Sequence, residues 1–504
     1  MSDTRIAATI TPAEPVEDRA PAPPPPTTLA QTGLRAETVS DLILKTLYEN
    51  GESTGVEVAR AMRLSFSILD DLVVHLRAER LVEVRGVEGE GTGRYRYRLT
   101  DAGRVRAREL MERSRYVGPA PVTLEAYRRW VRRQSVLEAD HRPDFLERGV
   151  AHLEVAPDLL ETLGPAVVSG RSVFLYGPAG NGKTVLAEAM AGAMGGAVFI
   201  PHAIEVDGTV VKIFDEAYHE AVQLKRASDA AGPAADLAHD ARWVLTKRPV
   251  VITGGELTLA MLDLQHQAGS GYYEAPLQVK ANGGVFVIDD FGRQLVKPHD
   301  LLNRWIVPLE KREDYLTLHT GKKFAVPFDS LLVFATNLNP WELVDEAFLR
   351  RIRYKVPVDN PTREQYERLF QRLCEQRRIE YRPEAVALVW EECYTNRGFQ
   401  PRFCHPRDLL DLLDDEYRYR TADTVLDKDA LGRACERYFL QNRFEDAEGW
   451  RRRRVPGRRG GTLSRAMTRP AQGAAGAGSA PTVDELAGRR PEDVPPAGDA
   501  SAAS

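Results

Sequence analysis

Apolar residues recur at helical spacing from residue 38 to residue 50, where Val39, Leu42, Ile43, Thr46 and Leu47 mark one face and Gly51 supplies a stop. Val56, Ala59 and Met62 predict a second helix, and Ile68, Leu69, Leu72, Val73 and Leu76 a third that begins near Ser65. The period then changes. In "LVEVRGVEGEGTGRYRYRLT" residues alternate on either side of a glycine-rich turn, as two antiparallel strands do, and "LTDAGRVRAREL" returns to a helix. Farther on, "SVFLY", "VFVI" and "SLLVFAT" are short apolar runs that predict buried strands. In "REQYERLFQRLCEQR" and "PEAVALVWEECY" the spacing is again helical, with Leu369, Phe370 and Leu373 reading as core.

Three helices followed by strand, turn and strand resemble a winged helix-turn-helix domain, over residues 34–118. Such domains bind DNA or other proteins. The third helix is not basic: Asp70, Asp71 and Glu79 offset Arg77 and Arg80, whereas a helix entering the major groove carries cations toward the phosphates. Arg94, Arg96 and Arg98 lie on the wing side, but they alternate with Tyr95 and Tyr97 as the wet face of a strand would. Protein docking is therefore expected ahead of DNA binding.

Composition changes this picture mainly at the ends. Over 504 residues, 68 Lys+Arg against 73 Asp+Glu leave a net charge of -5, so any basic surface must be local. Residues 1–33, with "APAPPPPTT", read as an unpacked tail, and residues 447–504 as a second one that opens on a basic run, Arg451 to Arg454 with Arg458 and Arg459. Residues 119–150 read as a linker. Cys374, Cys393, Cys404 and Cys435 form no CxxC pair, which fits a reducing compartment. Without an apolar run long enough to cross a bilayer, or a hydrophobic signal core, the expected location is the cytoplasm and no membrane insertion is expected.

The chemistry concentrates in "SVFLYGPAGNGKTVLAEAMAGAM". Gly177, Pro178, Ala179, Gly180, Asn181, Gly182, Lys183 and Thr184 match G-x-x-x-x-G-K-T, with Val185 following on the helix. Glycines let consecutive backbone amides turn inward around a phosphate, and the helix N-terminus adds a favourable dipole. Lys183 is expected on the β- and γ-phosphates of ATP, and the Thr184 hydroxyl on Mg2+. Such a site needs a carboxylate at the end of a neighbouring buried strand, and "VFVIDD" supplies Asp289 for the metal shell. Successive strand residues point oppositely, so Asp290 is expected to face the γ-phosphate and polarise a water.

With these residues in place the sequence resembles the AAA+ ATPases over residues 150 to 446. The resemblance implies an α/β P-loop NTPase, a parallel sheet flanked by helices over 151–358, followed by an all-α lid over 359–446. Asn337, which ends "SLLVFATN", matches the family's sensor-1 residue, although it also suits a turn. Arg350 or Arg351, in "DEAFLRRIRYKV", matches the arginine that reaches a neighbouring subunit's nucleotide. Arg407, in "PRDLL", matches sensor 2, with Arg402 as the weaker candidate. Asp290 departs from the usual glutamate and is one methylene shorter, which implies slow hydrolysis or a closer water.

The segments "ANGGVFVIDDFGR" and "LLNRWIVPLEKR" look most like MoxR-type and other helix-insert members. Between loop helix and metal strand, a long stretch offers room for client-contacting insertions. There Tyr272 and Tyr273 suit either an exposed aromatic loop or a buried cluster. The whole implies an ATPase that assembles into a homo-oligomeric ring, expected to be a hexamer, and remodels or regulates a protein client. The alternatives are an ATP-controlled DNA-binding regulator that uses the winged helix, and a slowly hydrolysing nucleotide switch.

Overall fold

The change of hydrophobic period along the N-terminal third is followed closely by the backbone. In the structure, a computed structural model, residues 22–138, 144–222, 239–266, 269–420 and 424–439 are described. The chain opens with α1 (Leu29–Thr32), α2 (Ala36–Asn50), β1 (Ser53–Thr54), α3 (Gly55–Met62) and α4 (Phe66–Ala78), then β2 (Val82–Val87), β3 (Tyr95–Leu99) and α5 (Asp101–Arg113). Gly51 ends α2 in a positive-φ conformation, and a capping box between Thr54 and Glu57 starts α3. The buried face of α3 is Val58, Ala59 and Met62, while Val56, expected in the core, is exposed. Strands β1, β3 and β2 form a small antiparallel sheet.

Two sequence expectations change here. The unpacked tail expected through residue 33 stops short: Pro23 is buried, its carbonyl accepts from the Asp240 amide at 2.7 Å, and α1 follows. Residues 1–21 and the basic run from Arg451 to Arg459 lie outside the described residues. The linker expected over 119–150 contains β4 (Val122–Thr123), α6 (Leu124–Arg133) and α7 (Phe145–Val150). Helix α6 buries Tyr127, Trp130 and Val131, an i, i+3, i+4 set.

Next come α8 (Pro157–Val168), β5 (Ser172–Tyr176) and α9 (Lys183–Ala193), then β6 (Ala197–Pro201), β7 (Ala203–Val206), β8 (Thr209–Lys212), β9 (Trp243–Lys247) and β10 (Val250–Thr253). They are followed by β11 (Gln265–His266), β12 (Tyr273–Glu274), α10 (Leu277–Lys280), β13 (Val285–Ile288), α11 (Pro298–Lys311), β14 (Glu313–Thr317), β15 (Lys323–Pro327), β16 (Leu331–Thr336), α12 (Pro340–Leu343), α13 (Glu346–Leu349) and β17 (Tyr354–Pro357). Strands β10, β13, β16, β5 and β17 lie side by side in that order, all parallel. The apolar runs of the three central strands, β13, β16 and β5, are buried on both faces, as a parallel sheet covered by helices requires. The C-terminal tips of β13, β16 and β5 therefore line one edge, where ligands bind in open α/β sheets.

The stretch between α9 and β10 builds a separate layer. Strands β6 and β9 pair antiparallel, and β7 and β8 join β4, β12 and β11 in a mixed sheet ordered β11-β12-β8-β7-β4. The exposed-loop reading of Tyr272 and Tyr273 does not hold. Tyr273 is buried with its hydroxyl against His319, and Tyr272 packs edge-on to Tyr116. Arg242 and Asp240, both buried, pair at 2.7 Å, and Arg242 Nη1 donates to the carbonyls of Thr32 and Pro121. This buried pair pins the N-terminal segment to the inserted layer.

The described residues close with α14 (Arg363–Arg377), α15 (Pro383–Val389), α16 (His405–Tyr419) and α17 (Lys428–Tyr438). These helices share a core that includes Tyr366, Phe370, Cys374, Leu409 and Leu413. No helix among the described residues is long and apolar enough to cross a membrane.

Candidate active site

Strand β5 delivers the chain to the loop of residues 177–182, and the loop delivers Lys183 to the first turn of α9. Gly177 has φ 145°, and a Cβ there would lie 2.4 Å from the Val358 carbonyl oxygen, so only glycine fits between the loop and β17. The Lys183 ammonium is buried and donates to the carbonyls of Gly177 and Pro178 at 3.0 Å each, and to Asn337 Oδ1. Burial pulls its pKa down, while Asp289 and Asp290 act against that pull. A cation desolvated among neutral carbonyl oxygens is a poorly neutralised charge, and an anion entering the loop would relieve it.

Thr184 Oγ1 donates to Asp289 Oδ2 at 2.6 Å, bringing together the hydroxyl and the carboxylate singled out for the metal. The other Asp289 oxygen accepts from the Asp290 amide at 2.8 Å, and Gln294 Nε2 donates to the Asp289 carbonyl at 2.8 Å. Asp290 is exposed, with φ 48°, and accepts from Asn337 Nδ2 at 3.0 Å. A non-glycine residue in the left-handed region at a strand tip is strained, and here Asn337 and the Asp289 side chain hold it. One turn beyond Thr184, the Glu188 carboxyl is pushed up by burial and, to a lesser degree, by Asp289.

The remaining loop contacts come from the C-terminal helices. The Cys404 amide donates to the Gly180 carbonyl at 2.9 Å, and a Cβ on Gly180 (φ 82°) would lie 2.5 Å from Cys404 Sγ. Asn181 is buried; its Nδ2 donates to Asn360 Oδ1 at 2.9 Å and its Oδ1 accepts from the Phe403 amide at 3.4 Å. Arg402 Nη1 donates to the same Asn360 oxygen, and its charge acts on Lys183. Thus residues 402–404 clasp the loop just before α16 begins.

Arg407 takes a different position: its guanidinium is largely exposed and pairs with Asp408 at 2.9 Å on the outer side of α16. Arg350 is 76% exposed and pairs with Glu346 one turn earlier at 2.7 Å, whereas Arg351 Nε donates to Glu310 at 2.8 Å. Val185 is exposed on α9. The structure thus brings the loop, Asp289, Asp290 and Asn337 together, leaves Arg350 and Arg407 at the surface, and adds Asn181's partner Asn360, Gln294 and Glu188. Those three carried no motif; only the "VDN" that follows β17, a polar pair after an apolar strand, hinted at Asn360.

Residues 362–437, the C-terminal helices, match a family described only as a domain of unknown function, DUF8689. No curated protein matches the chain. Among solved structures, NtrX from Brucella abortus in complex with ADP is 15% identical, with 60% of this chain and 57% of that chain covered and a TM-score of 0.35. The Holliday junction branch migration motor RuvB of Thermotoga maritima is 17% identical, with 56% of this chain and 68% of that chain covered and a TM-score of 0.31. The chain spans less than two thirds of the NtrX chain, and neither similarity is close enough to bear on function.

Proposed function

We propose that this chain is an AAA+ ATPase that binds ATP with magnesium at the loop of residues 177–184, hydrolyses it, and uses the cycle to remodel or regulate a protein partner. One observation carries the reading: Lys183 and Thr184, from the start of α9, meet Asn337 and Asp289 at the tips of β16 and β13. Thr184 and Asp289 would hold the magnesium, which when bound supplies charge neutralisation on the phosphate oxygens. Lys183 binds the phosphates. Asp290 accepts from and orients the attacking water, with Asn337 fixing the carboxylate's direction.

Among the arginines, the clasp on the loop supports Arg402 over Arg407 as the group that reaches its own subunit's nucleotide. The outward position of Arg350 supports it over Arg351 as the residue offered to a neighbouring subunit in a ring, which we assign as a hexamer. Residues 362–437 act as the helical lid, and α2 to α5 with the β2–β3 hairpin as a winged helix. That winged helix is assigned to protein docking. Its Arg96 lies against Glu88, Arg98 donates to Glu83 at 3.0 Å, and Phe66 at the start of α4 packs on Tyr97, so two of the three wing arginines are neutralised by neighbouring carboxylates. The strained, tethered Asp290 supports slow basal turnover that a partner accelerates.

Calorimetry with Mg-ATP and Mg-ADP, paired with steady-state phosphate release, tests the proposal. Heat of binding and release that both vanish in Lys183→Ala are expected; no heat in the wild-type chain, or release untouched by that change, would overturn it.

A further inference from the structure

We propose that the outer face of α6, together with the β14–β15 hairpin, is a binding surface for single-stranded nucleic acid, separate from both the winged helix and the ATP site. The helix reads "LEAYRRWVRR". Because Tyr127, Trp130 and Val131 turn into the core, Arg128, Arg129, Arg132 and Arg133 fall on the other side. They form two rows one helical turn apart, a spacing of about 5–6 Å.

These charges are weakly neutralised. Arg128 is fixed by the Ala325 carbonyl at 2.6 Å and lies 3.9 Å from Glu125. Arg132 is 68% exposed, and its pair with Glu313 is a long one at 3.6 Å. Arg133 rests over the Trp130 ring at 5.4 Å, and Arg129 is exposed with no carboxylate within ion-pair distance among the described residues. Lys311, exposed at the end of α11, extends the basic rim along a cleft of about 310 Å³ between α6 and the hairpin. In a protein whose net charge is negative, this concentration of cations is a local feature that sets up a favourable potential for an anionic chain.

The hairpin adds an aromatic platform. Tyr315 is 48% exposed and pairs in register with Ala325, the residue that holds Arg128, while Glu313 on the same strand face meets Arg132. An exposed aromatic ring on the hairpin that also holds Arg128 combines base stacking with forked phosphate contacts. That pairing favours single-stranded nucleic acid, in which each nucleotide brings a base that can stack and a phosphate that a guanidinium can hold.

Fluorescence anisotropy of the full chain with a labelled oligothymidylate of about 30 nucleotides tests this. Three neutralised phosphates would give a slope of about −2 in log K against log salt between about 50 and 200 mM. Arg129→Glu/Arg133→Glu is expected to weaken binding at least tenfold, with thermal midpoint and ATP-driven phosphate release unchanged. Arg132→Glu/Lys311→Glu, which spares Trp130, should do the same, and Tyr315→Ala should cost about tenfold on the single strand but not on a duplex of equal length. Wild-type affinity in both charge-reversed variants would overturn the proposal, as would tight binding of polyglutamate with none of oligothymidylate.

Discussion

The ammonium of Lys183 donates to the side-chain carbonyl of Asn337, so a charge at the start of α9 is held by an amide at the tip of β16. The opposite end of that amide donates to Asp290. Both polar atoms of Asn337 are thus committed, and its orientation is fixed by the cation on one side and the carboxylate on the other. In the proposed mechanism the amide links the group that binds phosphate to the group that handles water.

Replacing Asn337 with alanine should therefore act on turnover more than on binding. Misplacement of a water-orienting carboxylate is expected to slow single-turnover hydrolysis on the order of 100-fold, while the nucleotide affinity from calorimetry changes little. A variant that lost affinity and kept its rate would assign Asn337 to nucleotide binding instead.

Arg402 and Arg407 give a direct contrast. Arg402→Ala removes a charge at the edge of the loop and should weaken ATP binding tenfold or more. Arg407→Ala breaks only a largely exposed pair with Asp408, whose contribution is about 1 kcal/mol or less, and should leave affinity within twofold. The reverse ranking, measured by calorimetry on both variants, would move the lid arginine to Arg407.

Acid should loosen the clasp through His405. Its Nδ1 accepts from the Arg402 amide at 3.3 Å and lies 2.9 Å from the Tyr394 hydroxyl, so the ring is neutral with its proton on Nε2. Burial, helped by the Arg402 charge, pulls its pKa from 6.5 to about 4. The unfolded chain then takes up a proton more readily than the folded one, so this contribution to stability is complete above pH 6.5 and is lost as pH falls toward 4. Urea titrations at pH 7 and pH 5 should differ by on the order of 2 kcal/mol from this residue, and His405→Gln should flatten that difference.

The buried Arg242–Asp240 pair supports a stability prediction. Arg242→Met strands a carboxylate and frees the carbonyls of Thr32 and Pro121, so it should destabilise by about 3 kcal/mol and open the N-terminal segment to protease. Adding Asp240→Leu should restore part of the loss, because no unpaired charge then stays buried.

Much of the fold was legible because its signals are local. The apolar runs of β5, β13 and β16, the glycine-rich loop and the five-residue face of α4 each sit within a few residues of chain. The acidic and amide residues that meet at the loop were also visible, since each ends such a run. Other features depend on contacts between distant segments. Arg402 lies beside the loop through Asn360, which Asn181 also contacts, and these three come from separate parts of the chain, whereas the resemblance of "PRDLL" to the family's sensor 2 pointed to Arg407. Tyr273 is buried in a core drawn from distant segments, with His319 on its hydroxyl, and no pattern near Tyr273 encodes that. Helix α6 was concealed differently: its apolar triad was present in the sequence, but residues 119–150 read as a linker.

The bond between Cys404 and Gly180 has a mechanical corollary. Helix α16 is 15 residues long and starts at the next residue, so it projects about 22 Å from that contact. A reshaping of the loop that tilted its first turn by about 5° would sweep the far end through about 2 Å. The close approach at Gly180 thus makes the helix a lever whose fulcrum is the loop of residues 177–182.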